Sequence, residues 1–89
     1  MTDIEAIIPL VHLNGTSGND LYAELYESLQ AIDAAIDALR RGAPNARDYY
    51  PLGSSIFEKA KAGHFYRIER LTDVRAELQV ILEGLADQL

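Results

Sequence analysis

The chain has no cysteine. Disulfide staples, a thiolate zinc site and a thiol nucleophile are therefore excluded together. Histidine is scarce as well: only His12 and His64 are present, and neither has a metal-ligating residue four positions away. Ser17, Ser54 and Ser55 all fall where helix caps belong, which leaves no evident nucleophile. The expectation is a non-enzymatic protein with no metal and no cofactor.

Long apolar runs are missing too. Nothing approaches the ~20 residues of a membrane span. The N-terminus carries Asp3 and Glu5 where a signal peptide would be basic. Both absences predict a soluble cytoplasmic protein with no membrane partner.

The most informative shortage is of positive charge. Residues 1–39 hold seven acids and no Lys or Arg, for −7. Residues 40–75 hold eight bases and four acids, for +4, and residues 76–89 add three acids. The net charge of −6 argues against direct, nonspecific nucleic-acid binding. The uneven distribution suits attraction of an anion at one end, or of a second copy head to tail.

Against this background the apolar pattern predicts an all-α fold in one domain, residues 1–89. Residues 1–17 form an arm and a turn. Pro9 removes a backbone donor and disfavours helix at Ile8, so the apolar stretch from Ile4 to Leu13 is expected to be an extended arm or edge strand, strapped over the core. Asn14-Gly15 marks a turn, and Ser17 or Thr16 caps the helix after it. The alternative there is an anion cradle at a helix N-terminus.

Residues 18–41 form the first helix: Leu21, Leu25, Leu29, Ile32, Ile36 and Leu39 make one stripe. Arg40 and Arg41 suit the negative end of its dipole, and Gly42 with Pro44 stops it. Residues 42–54 are a long connection, with Tyr49, Tyr50 and Leu52 as apolar anchors. Residues 55–89 form the second helix, opened by a Ser55–Glu58 capping box. Gly63 is a weak spot in it, and Gly84 a point of fraying. Its seam is Leu71, Val74, Leu78, Ile81 and Leu85. Traced backwards the seam meets Arg67, His64, Ala60 and Phe57, so the stripe turns polar near the loop.

Two long amphipathic helices with one connection make an antiparallel two-helix hairpin with an extended N-terminal arm. Tyr22, Tyr26, Ile68 and Leu82 widen the apolar faces beyond what one hairpin covers. Assembly into a helical-bundle homo-oligomer is the expected remedy.

The hairpin gathers Arg40, Arg41, Arg47, Lys59, Lys61, His64 and Arg67 at its loop end with five aromatic residues. Read singly, each has a plain structural role: Arg67 pairing with Asp33 or Asp37, His64 as a satisfied core histidine, Lys59 and Lys61 in solvent. Read together they suit a small nucleotide-like anion. Arg47, His64 and Arg67 would hold phosphate, Tyr49 and Tyr50 would stack on a base, and Asp48 would accept from ribose or base. His12, Asn14 and Thr16 lie near the far end and would join that site only from a neighbouring subunit.

HLNGTS at 12–17, NARDYYP at 45–51 and the His64–Arg67 pair ahead of a leucine-rich helix resemble a family of small uncharacterised proteins of bacteriophages and prophages. That resemblance covers most of the chain. It implies a bacterial host cell and an anti-defence accessory role, of the kind in which compact helical oligomers act as a sponge for nucleotide immune signals. The alternative is a protein-interaction module, an inhibitor of a host protein whose acidic first helix mimics nucleic acid. In that case Glu24 and Glu27 would matter and the loop arginines would not.

Overall fold

A computed structural model describes residues 4–89; the expectations that fall on residues 1–3 lie outside them. Helix α1 spans Gly18–Arg41, 24 residues, and begins where the glycine-rich turn ends. Ser17 Oγ accepts from the Asp20 backbone N–H at 3.1 Å, the expected cap. At the other end Gly42 N–H reaches the carbonyls of Ala38 and Leu39 and closes the helix. Leu29 and Ile36 are buried and their stripe neighbours half-buried, so this face is the one the pattern predicts.

Helix α2 spans Ser54–Ala86, 33 residues, and packs antiparallel along α1. Its start differs from expectation. Gly53 is the cap residue, at φ 100° and ψ 154°, and no side chain caps the helix. Only glycine enters that backbone region cheaply. The Gly53 carbonyl then accepts from Ile56 and Phe57 N–H. Ser54 and Ser55 are thereby carried into the first turn, and the Ser55–Glu58 capping box does not form.

The face that α2 turns to α1 is also displaced. Ile68, Leu82 and Leu85 are buried, with Leu71, Arg75 and Leu78 half-buried between them. Val74 is 43% exposed, and Arg67 is exposed. The expected seam and the observed one share Leu71, Leu78 and Leu85, since both follow steps of three and four. They differ by one position at the remaining places. The observed face brings Arg75 against α1, where the Asp33 carboxylate accepts from its Nε and Nη2, the latter at 3.2 Å. Arg75, not Arg67, is the cation that pairs across the hairpin.

The connection holds two single 3-10 turns, Ala46–Asp48 and Tyr50–Leu52. Asn45 Oδ1 accepts from Arg47 N–H at 3.0 Å and starts the first turn. Tyr49 turns back onto Phe57, with ring centroids 6.1 Å apart, and ties the connection to α2.

The N-terminal segment before α1 forms no helix, and no strand is present among the described residues. It straps the open end of the hairpin. The Gln88 side-chain amide donates to the Pro9 carbonyl and accepts from Val11 N–H, both at 2.8 Å. Ile8 sits against bare Gly84, and Leu89 and Val11 sit against Gly18. Gly84 is therefore the arm's seat inside a continuous helix rather than a point of fraying. Helix α2 likewise runs unbroken through Gly63. The strap covers little of its own apolar surface: Ile7 and Leu10 are each 74% exposed.

Candidate functional site

Where α1 ends and α2 begins, the backbone cannot fill the corner between them. The exit of α1 leaves through Gly42, Ala43 and Pro44, none of which carries a large side chain. Gly63 on α2 faces the same space with no side chain at all. The result is a cleft of about 430 Å³ at the loop end of the hairpin.

One wall is Gly42 to Asn45 and the next is the first 3-10 turn, which contributes Asp48 and Tyr49. The floor comes from α2 through Lys59, Ala60, Gly63, His64 and Arg67, a spacing of one helix face. Arg67 folds back towards the N-terminus of its helix, as helical side chains do. Its guanidinium lies 3.7 Å from where a Cβ on Gly63 would stand. The guanidinium thus lies along the floor, at ordinary contact distance from the Gly63 position.

His64 is 8% exposed, and its Nε2 donates to the Leu39 carbonyl at 2.6 Å. A carbonyl only accepts, so the hydrogen belongs to Nε2. The ring gives the Leu39 carbonyl a second donor beside Gly42 N–H and staples the two helices beneath the cleft. Its edge also meets Phe65, with centroids 6.5 Å apart. His64 is thus a satisfied core histidine that also lines the cleft.

The electrostatics are lopsided. Among the described residues the ion pair is Arg75–Asp33, which lies outside the cleft. Arg67 and Lys59 have no carboxylate partner among those residues. The cleft carries the carboxylate of Asp48 on its wall and the two cations Lys59 and Arg67 on its floor. A ligand with an anionic part and a hydrogen-bond-donating part fits that gradient in one direction.

Of the residues expected at the site, Asp48, Tyr49, His64 and Arg67 come together here. Arg47 and Tyr50 do not line the cleft, and Tyr50 is 76% exposed. The 3-10 turns rotate these neighbours outward while turning Tyr49 in. His12, Asn14 and Thr16 lie beyond the start of α1, a helix length of about 36 Å away. There His12 forms a turn with Gly15, whose N–H reaches the His12 carbonyl at 3.3 Å.

Asn45 and Gly63 line the cleft without being expected there, and Lys59, one of the cations expected at the loop end, lines it as well. Lys59, Gly63 and Arg67 recur every four residues, the spacing of one helix face. Lys61, by contrast, lies over the Phe57 ring, 5.9 Å from its centroid, and is outside the cleft. No family model, no curated protein and no solved structure matches this chain.

Proposed function

We propose that the protein is a non-enzymatic oligomeric binder that sequesters a small nucleotide-derived anion in the loop-end cleft. The observation that carries this reading is the pair of unpaired cations, Arg67 and Lys59, on one floor with Tyr49 and Asp48 on the facing wall. A volume of about 430 Å³ lies within the range of small-molecule sites.

In the proposed pose phosphate lies on Arg67 and Lys59, away from the Asp48 carboxylate. The base stacks on Tyr49, and its donors or those of the ribose reach Asp48. His64 is committed to Leu39 and shapes the floor. A sponge needs affinity without turnover, and a phage protein directed against host nucleotide signalling is the biological setting that the motif resemblance implies. Self-association is supported by the thin core, in which five apolar side chains are buried among the described residues.

The test is titration calorimetry with nucleoside monophosphates and cyclic dinucleotides against wild type and Arg67→Ala. Removing a charge-assisted phosphate contact is expected to weaken binding by about tenfold or more. Unchanged affinity of Arg67→Ala for every ligand that binds would sink the reading. One observation favours the alternative of a docking module: Glu24 and Glu27 are exposed on α1 with no cation partner among the described residues. In that case Glu24→Lys would abolish function and Arg67→Ala would spare it.

A further inference from the structure

The two helices cover each other on one side only. On the outer flank of α2, Leu71 and Val74 floor an open groove of about 370 Å³, with Arg67 and Arg70 beside them. Arg70 rests on the Tyr66 ring, 4.8 Å from its centroid, and has no carboxylate partner among the described residues. Glu77, one turn beyond Val74, is half-buried and likewise without a cation among those residues.

The molecule is also an electric rod. Its long axis measures 62 Å. Seven of the eight basic residues fall between Arg40 and Arg70, at or near the loop end, while residues 1–39 carry no base. Two such rods side by side repel when parallel and attract when antiparallel.

We propose that this groove is the contact with a second copy of the chain, docked antiparallel with a two-fold axis between Asp73 and Val74. An isologous contact makes each residue meet the one equally far beyond the axis. Arg70 and Glu77 stand equally far on either side of that axis, so each Arg70 faces the partner's Glu77. Val74 lies next to the axis, beside the partner's Val74, and loses its exposure to water, and the four helices form a bundle. This deepens the self-association part of the proposed function and does not depend on the ligand.

The chain has no thiol of its own, so one introduced cysteine reports its own neighbours. Val74→Cys is expected to give a covalent dimer with a short bis-maleimide, and Ser54→Cys at the loop end is expected to give none. In sedimentation equilibrium, Arg70→Glu and Glu77→Arg should each weaken association by about tenfold. The double variant R70E/E77R should restore it, because both symmetric pairs are rebuilt with the signs exchanged. Circular dichroism checks that each variant is still helical.

A dimer in which Ser54→Cys links as readily as Val74→Cys, or in which the double variant stays weak, overturns this contact and leaves self-association standing. A wild-type monomer at all accessible concentrations overturns both.

Discussion

At the residue scale the glycines of α2 separate two roles that look alike in the sequence. Gly63 and Gly84 both interrupt a helical pattern, and each forgoes about 1 kcal/mol relative to alanine. A Cβ on Gly63 would meet the Arg67 guanidinium at 3.7 Å, an ordinary contact. A Cβ on Gly84 would collide with Ile8. Gly63→Ala should therefore raise stability by about 1 kcal/mol in urea unfolding. Gly84→Ala should instead lift the arm. Its signature is faster amide exchange at Val11, whose N–H is held by Gln88 only while the arm is seated. If the Val11 amide stays as protected as before, Gly84 is not the arm's seat.

At the element scale, the helices were legible because each carries a long run of steps of three and four. The start of α1 was legible because Ser17 follows a glycine turn. The observed face of α2 was harder to read. Two stripes one residue apart both satisfy the period, and between positions 67 and 85 they carry equally many apolar residues. The observed one sets Arg75 against Asp33, and no periodicity within α2 reports what stands opposite it. The cleft was half legible for a related reason. Spacing along α2 points to His64 and Arg67, whereas the rotation of the two 3-10 turns decides that Tyr49 faces in and Tyr50 out.

The Arg75–Asp33 pair makes its own prediction. The Arg75 hydrogen bond to Asp33 holds that carboxyl below its ordinary 3.8. A depressed carboxyl contributes stability above its unfolded value and loses it as pH falls through the folded one. The margin of wild type over Asp33→Asn should thus be constant from neutral pH to about 4 and vanish below that. It should also be small, because the two side chains are 38% and 49% exposed and water screens them. Urea midpoints measured across that range decide it, and a margin that persists at low pH would mean that the ion pair is not its source.

At the scale of the whole molecule the shape itself argues. A globular chain of this length has a radius of gyration of about 12 Å, and this one has 18.3 Å. Five apolar side chains are buried among the described residues, while Ile4, Ile7, Leu10 and Leu13 of the arm stay mostly in water. Fully burying one such side chain contributes about 1.5–3 kcal/mol, so most of the available apolar stabilisation is unused in a single hairpin. A second copy is the nearest source of cover. If folding and association are one event, unfolding must also separate the copies, and mass action then stabilises the fold by about 1.4 kcal/mol per tenfold rise in protein concentration. For a unit of two chains that corresponds to a rise in Tm of about 2–4 °C per decade. Calorimetric scans across two decades of concentration should show the drift, and high salt should lower Tm at every concentration, because the attraction between opposed ends is screened. A Tm that ignores concentration would mean that the lone hairpin carries its own stability, and that its exposed apolar surface serves a different partner.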